Sequence, residues 1–473
     1  MSVKSIQRLF VANRGEIAVR IIKACKALGI QTVIGVSEAD RDSLATRMAD
    51  AFEVIGPAQA AESYLHAERI LAAALRTGCD ALHPGYGFLS ERAGFASACA
   101  QAGITFVGPD ARAIQDMGDK ITAVGLAEKA GVPRVPGSAA LSGLDEASKI
   151  AEAIGYPVLI KASAGGGGRG MRIVREANEL ASCMSSAINE AQSAFGDGTV
   201  YLEKFIEQAR HIEIQVMGDR YGNVVHLGER DCSAQRRHQK LIEESPSPGL
   251  DQDLREQMAM AAVKLARSVA YVGAGTVEFV LDAQSRRFYF LEMNTRIQVE
   301  HPVTELVTGF DLVQEQIKVA QGLPLSFAQE DVALHGHAIE CRINAEDPNK
   351  SFLPKPGMLL VWDPPTDECV RLDSHCYAGY TVPPHYDSLL GKIIVHGRSR
   401  QEALGHMRRA LENFRIEGLP TTVDFLREVM DEETFISGNM TTRWLEQSFL
   451  PARKMRQKNA AQNLELKGRE VGV

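Results

Sequence analysis

Leu9-Phe10-Val11-Ala12-Asn13-Arg14-Gly15-Glu16 carries a short apolar strand into a tight turn, and an amphipathic stretch from Ile17 to Leu28 follows. Gly29 stands where a helix would stop, because the left-handed residue that closes a last turn favours glycine. Thr32-Val33-Ile34-Gly35-Val36 then reads as the next strand. A strand, a helix and a strand in this order open a doubly wound parallel sheet. The turn lacks G-x-G-x-x-G, and G-x-x-x-x-G-K-[ST] occurs nowhere, so this opening unit carries neither the common dinucleotide nor the P-loop fingerprint. Outward from this unit the alternation continues through an alanine-rich helix at 67–77, a strand at Ala81-Leu82, the loop His83-Pro84-Gly85-Tyr86-Gly87, a helix near 94–102 and a strand entering Ile104-Thr105-Phe106. The first domain is placed at residues 1–115.

A second region, 116–330, holds a glycine-rich loop, a helix near 176–193 and two strands with an acidic pair. A third, 331–447, has short apolar runs among many Pro and Gly residues. It reads as a mostly β unit with a helix near 400–414. Residues 451–473 carry six Lys or Arg against two Glu with little apolar periodicity, and 448–473 is read as a basic, mobile tail. The class is α/β (α+β overall), with 473 residues too many for one core of ordinary size.

A net charge of −8 argues against a nucleic-acid protein, since phosphate binding over a broad surface needs a basic face. The eight cysteines form no Cys-x-x-Cys pair, which suits reduced thiols. The start of the chain lacks the apolar run of a signal peptide, and no stretch approaches a membrane span of about 20 apolar residues. A soluble cytoplasmic protein with no membrane or nucleic-acid partner is expected.

From Glu292 the chain reads Glu-Met-Asn-Thr-Arg-Ile-Gln-Val-Glu, with Glu292, Asn294, Arg296, Gln298 and Glu300 at every second position. In an extended segment these share one face, which would form a track for an anion. Upstream, Thr276 to Leu281 and Arg287 to Glu292 read as a hairpin with its turn near 285. Glu278 then falls opposite Glu292, with Cβ atoms roughly 4.5–5.5 Å apart. Two facing carboxylates repel unless a cation lies between them, and hard divalent ions such as Mg²⁺ or Mn²⁺ prefer all-oxygen ligands.

After the apolar strand Pro157 to Ile160 comes Lys161-Ala162-Ser163-Ala164-Gly165-Gly166-Gly167-Gly168-Arg169-Gly170. Five glycines in six positions cannot pack a core, but their amides can close over phosphates, with Lys161 as a point charge. A dense polar run, Glu229 to Lys240, adds Gln235, Arg236, Arg237, His238 and Lys240, suited either to a solvated loop or to anion handling.

Together these stretches resemble the ATP-grasp superfamily, and the resemblance to biotin carboxylase runs along almost the whole chain. It rests on Ala12 to Ala18, His83 to Glu91, Met117 to Lys120, the glycine loop, Gln235 to Lys240, Glu292 to Thr304, Glu340 to Pro348 and Tyr377 to Ser388. Arg92 departs from it, at a position that commonly holds Asn.

The resemblance implies a central ATP-grasp domain whose lid subdomain spans about 134–207. Lys120, Lys161, Glu203, Ile206, His211, Gln235 and His238 would bind ATP, and Gly165, Gly166, Gly167 and Gly168 would close over its phosphates. Glu278, Glu292 and Asn294 would hold two Mg²⁺ or Mn²⁺ ions. Lys240, Arg296, Gln298 and the Val299 backbone would receive bicarbonate, with Glu300 as its base. Tyr86 and Arg342 would lie beside biotin, with Arg342 stabilising the ureido oxygen. No Met-Lys dipeptide is present to carry biotin, so the implied partners are a separate biotin carboxyl carrier protein and carboxyltransferase subunits, and the implied assembly is a homodimer. Acetyl-CoA is the expected final acceptor. The alternatives are pyruvate, propionyl-CoA or another acceptor of a biotin-dependent carboxylase, or a different ATP-grasp carboxylate ligase.

Overall fold

A computed structural model describes residues 4–163 and 170–470. The glycines Gly165 to Gly168 lie outside the described residues. The opening unit forms as its sequence suggests: strand β1 (Arg8–Val11), a helix over Gly15–Ala27, then strand β2 (Gln31–Ser37), with Gly29 at φ +69° just past the helix end. With β3 (Ala51–Gly56), β4 (Ala81–His83) and β5 (Thr105–Phe106) they make a parallel sheet in the order β3-β2-β1-β4-β5.

The reason both faces are covered is visible in β1. Leu9 and Val11 point into a core that contains Ile17, Ile21 and Ile34, while Phe10 and Ala12 point into another that contains Ile70, Leu82 and Phe95. A period of two with both sets apolar requires helices on each face. The first of these cores also contains Met217, Leu227, Ala274 and Ile297 from the central region. The N-terminal sheet is thereby packed directly against the part of the chain that carries the polar track.

In the central region β6 (Val158–Ala162), β7 (Arg172–Val174) and β8 (Val200–Lys204) form a three-stranded sheet against the helix Leu180–Phe195. A second, antiparallel sheet contains β9 (Ala209–Gly218), β10 (Val224–Arg236), β11 (Gln239–Ser245), β12 (Gly273–Asp282) and β13 (Arg287–Asn294). It continues without a break into β14 (His337–Asn344) and the strands Leu389–Gly397 and Val370–Ser374. The third region is therefore not a sheet of its own: β11 pairs with β14, so the central and C-terminal regions share one eight-stranded sheet. Composition registers strands but not which sheet they join, because pairing is set by residues distant in sequence.

Part of the 448–473 stretch has regular structure. Leu450–Glu470 is a helix, its first turns fastened by Arg453 to Glu428 at 2.8 Å and to Asn349 at 3.1 Å, and by Arg456 to Glu432 at 2.9 Å. Ala, Lys, Gln, Leu, Glu and Arg are strong helix formers whatever their hydrophobic pattern. In keeping with weak amphipathicity, residues 454–460 of this helix are exposed.

Candidate active site

Alternation builds the floor of the site. On β9, Ile212, Ile214 and Val216 face a buried core, which turns His211, Glu213 and Gln215 to the opposite face. On β12, Val277 and Phe279 face the same core and Thr276 and Glu278 turn away from it. The β9–β12 register then sets Glu278 beside Glu213 and Thr276 beside Gln215. On the far side of the hairpin, Glu278 pairs with Glu292, the register expected from a turn near 285.

The run Glu229 to Lys240 is the β10–β11 hairpin. Arg237 and His238 occupy its tip at φ +49° and +63°, the left-handed pair of a two-residue turn, and Gln235 pairs with Lys240 across the ladder. Lys240 reaches inward from this hairpin. Its Nζ donates to Glu213 Oε2 at 2.5 Å, Glu278 Oε1 at 3.0 Å and Glu300 Oε1 at 2.6 Å. The other oxygen of Glu300 accepts from Arg342 at 3.0 Å, and Arg342 Nε also donates to Glu243 at 2.6 Å. On β14, Ile339, Cys341 and Ile343 enter the C-terminal core, which leaves Arg342 on the face toward Glu300.

The Glu292-to-Glu300 track converges by a route different from the one expected. Only Glu292 to Asn294 is strand; residues 295–300 bend, and Glu300 stands at the N-terminus of the helix His301–Thr308. The bend folds the side chains onto one another. Arg296 donates to Asn294 Oδ1 at 2.6 Å and to Glu91 at 2.9 Å, and Gln298 donates to Glu278 Oε1 at 2.7 Å. His211 Nε2 lies 3.0 Å from Glu278 Oε2.

Beneath this layer lies Arg230, fully buried. It donates to Glu213, to Gln215 at 2.7 Å, Gln298 at 2.6 Å, Thr304 at 3.0 Å and Thr276 at 3.1 Å. Neither Arg230 nor Glu213 stands out as a site residue in sequence, although His211-Glu213-Gln215 shows the same polar alternation within an apolar strand that singles out residues 292–300. Arg230→Met would leave a hole in this network and Glu213 with only Lys240 and, at 3.8 Å, His211 beside it. We expect it to cost about 3 kcal/mol of stability, the lower end for a broken buried pair. Urea unfolding followed by circular dichroism measures it.

Charges in the cleft determine protonation. Burial alone would raise the Glu300 carboxyl, but Lys240, then Arg342 and Arg230, hold it well below the usual carboxylate range. Lys240 and His211 likewise keep Glu278 depressed against its burial. Burial would neutralise Lys240, but Glu213, Glu278 and Glu300 hold its ammonium charged far above the ordinary range. Desolvation in the cleft, followed by the Glu278 charge, raises Glu292. Burial pushes Glu243 up to about 7 against the pull of Arg342. Two carboxylates facing each other across one ladder suit a shared divalent cation. Glu278, Glu292 and Asn294 supply only oxygen ligands, the donor set that Mg²⁺ accepts.

The remaining expected residues come from other elements. Lys161 forms an ion pair with Glu203 across the three-stranded sheet, where β6 and β8 are neighbours. Ile206 follows β8, and Lys120 begins the helix Lys120–Lys129. Tyr86 comes from the N-terminal region, and its hydroxyl donates to the buried Glu16.

Three family models match the chain in series: biotin carboxylase, N-terminal domain, over residues 5–114; carbamoyl-phosphate synthase L chain, ATP binding domain, over 119–328; and biotin carboxylase C-terminal domain over 340–447. The chain is 56% identical over 442 residues to biotin carboxylase 1 of Bacillus subtilis, covering 93% of this chain and 98% of that protein. It is 52% identical over 441 residues to a pyruvate carboxylase subunit from Methanothermobacter thermautotrophicus, covering 93% and 89%. Its structure is similar to a biotin carboxylase–nucleotide complex from Campylobacter jejuni, with 49% identity, TM-score 0.88 and coverage of 93% and 98%. It is also similar to the biotin carboxylase domain dimer of Hydrogenobacter thermophilus 2-oxoglutarate carboxylase, solved with MgADP, ADP and bicarbonate, at 49% identity, TM-score 0.87 and coverage of 94% and 98%.

Proposed function

The chain belongs to the biotin carboxylase family and is an ATP- and Mg²⁺-using ligase, the biotin carboxylase subunit of a biotin-dependent carboxylase; from that premise we propose how its residues divide the reaction. The observation that carries the reading is Glu300 held between Lys240 and Arg342, beside the Glu278–Glu292 pair.

Bicarbonate is a poor electrophile, so ATP first converts it to carboxyphosphate. Lys240, Arg296, Gln298 and the Val299 backbone receive the anion and align it. Glu300 takes its proton as the hydroxyl oxygen attacks the γ-phosphorus and ADP leaves. While Lys240 and Arg342 both hold its charge, Glu300 is a weak base. Incoming anions compete for these two cations, which returns basicity to Glu300 when substrate is present. Glu278, Glu292 and Asn294 would hold Mg²⁺, which when bound neutralises phosphoryl oxygens. Lys120, Lys161, Glu203, Ile206, His211, Gln235 and His238 are assigned to the nucleotide, with Gly165 to Gly168 as its lid. Carboxyphosphate then yields CO₂ and phosphate. The phosphate removes the biotin N1 proton, and the N1 lone pair attacks CO₂. Arg342 stabilises the negative charge that develops on the ureido oxygen, and Tyr86 lines the biotin side.

We assign biotin to a separate carrier protein, acetyl-CoA to the partner carboxyltransferase as final acceptor, a homodimer as the assembly and the cytoplasm as its location. Among the described residues no helix is long and apolar enough to cross a membrane. The relatives include proteins named for pyruvate and 2-oxoglutarate carboxylases, so the acceptor needs its own test.

ADP release from Mg-ATP with bicarbonate, with and without free biotin and then a biotinylated carrier, tests the whole assignment. Stimulation requiring both bicarbonate and biotin is expected. Nucleotide binding without stimulation by either form of biotin would overturn it. Reconstitution with carboxyltransferases for acetyl-CoA and for pyruvate identifies the acceptor.

A further inference from the structure

Lys392, on the strand Leu389–Gly397, is fully buried, and its Nζ lies 3.0 Å from Glu16 Oε1 on the first helix. Such a pair is costly to bury and is often no more stable than an apolar replacement. What distinguishes this one is its other attachments. Lys392 Nζ donates to the Val299 carbonyl at 2.7 Å, and the same Glu16 oxygen accepts the hydroxyl of Tyr86. Two further carboxylates lie near it: Asp373, 3.9 Å from Nζ and engaged by Arg371, and the fully buried Glu340, whose charge also acts on Lys392. The sheet register sets Lys392 directly beside Arg342.

The Val299 carbonyl belongs to the peptide that enters Glu300. Fixing that oxygen fixes the peptide plane from which the Glu300 side chain departs, at the start of its helix. We propose that Lys392 and Glu16 are positioning residues for the carboxylation reaction: one buried ion pair, made by the N-terminal and C-terminal regions, that sets the Val299–Glu300 peptide and the Tyr86 hydroxyl together. Neither residue touches the reacting atoms. The pair aligns the base on the bicarbonate side with the tyrosine on the biotin side. This inference rests on the roles proposed above for Glu300 and Tyr86.

Lys392→Met alone strands Glu16 in the core, so the decisive variant is the double replacement Lys392→Met with Glu16→Gln, which removes both charges of the pair; Asp373 keeps Arg371, and burial already pushes the Glu340 carboxyl up toward its neutral form. Steady-state ATP cleavage is measured with bicarbonate and free biotin, alongside thermal unfolding. We expect the double variant to fold, its KM for MgATP to stay within about twofold, its KM values for bicarbonate and biotin to rise about tenfold, and its kcat to fall by up to about a hundredfold, the scale of a small misplacement of reacting groups. Glu16→Gln alone keeps an oxygen for both Lys392 and Tyr86 but takes the carboxylate from the buried lysine, so it should unfold at a lower temperature while its KM values move less than those of the double variant. Unmoved KM values, with kcat either unchanged or lowered only in proportion to folded protein, would show that the pair serves stability alone. Glu300→Gln and Tyr86→Phe run in the same assay separate the two readings. If they leave bicarbonate-dependent cleavage and the biotin KM intact, the site assignment has failed, and the pair loses its function with it.

Discussion

Glu300→Gln is expected to abolish bicarbonate-dependent ATP cleavage while MgATP binding survives. The amide keeps the size of the side chain and can still accept from Lys240 or Arg342, so the cleft should retain its shape. What it loses is a lone pair basic enough to take the bicarbonate proton. General-base removal typically costs about 10²–10⁴-fold, and the upper part of that range is expected because no other carboxylate is held by both Lys240 and Arg342 among the described residues. Nucleotide binding by calorimetry should remain within a few-fold, since the nucleotide is assigned largely to residues outside this cluster. Turnover near that of the unmodified enzyme would remove Glu300 as the base.

The second large effect is expected at Arg342, and it should be selective. In the reaction proposed, the Arg342 guanidinium stabilises charge on the biotin ureido oxygen, a charge that exists only in the second chemical step. Arg342→Ala should lower biotin carboxylation by about 10²–10³-fold, the usual cost of losing a donor aimed at a developing oxyanion. Bicarbonate-dependent ATP cleavage without biotin should fall much less. Some loss there is unavoidable, because Arg342 also holds Glu300 and the buried Glu243. Removing that cation strengthens Glu300 as a base while loosening its position, and these effects oppose each other. Equal losses of carboxybiotin formation and ATP cleavage would contradict a biotin-specific role.

Much of this site was legible because its residues announce themselves through periodicity. Glu278 and Glu292 could be set opposite each other from the length of one hairpin, and the register is the one found. Gly29 marked the end of the first helix, and the apolar alternation of Leu9, Phe10 and Val11 matches a sheet covered on both faces. The polar track at 292–300 singled out side chains that do converge on the cluster, but for a reason the alternation did not contain: the chain bends after Asn294. A bend is specified by what it packs on, here Glu91 below Arg296 and Arg230 below Gln298, and neither is local in sequence.

The amino-acid sequence by itself determined the strand-helix-strand opening, the acidic hairpin and the family to which the chain belongs. All of these depend on local alternation, turn chemistry or long motifs, which neighbouring residues encode. Only the tertiary structure decided that the central and C-terminal strands share one sheet, that Arg230 lies under the cleft, and that Lys392 reaches Glu16 and the Val299 carbonyl. Those contacts join segments far apart along the chain. Their partners are chosen by burial: a charge taken out of water must find a counter-charge wherever the fold brings one.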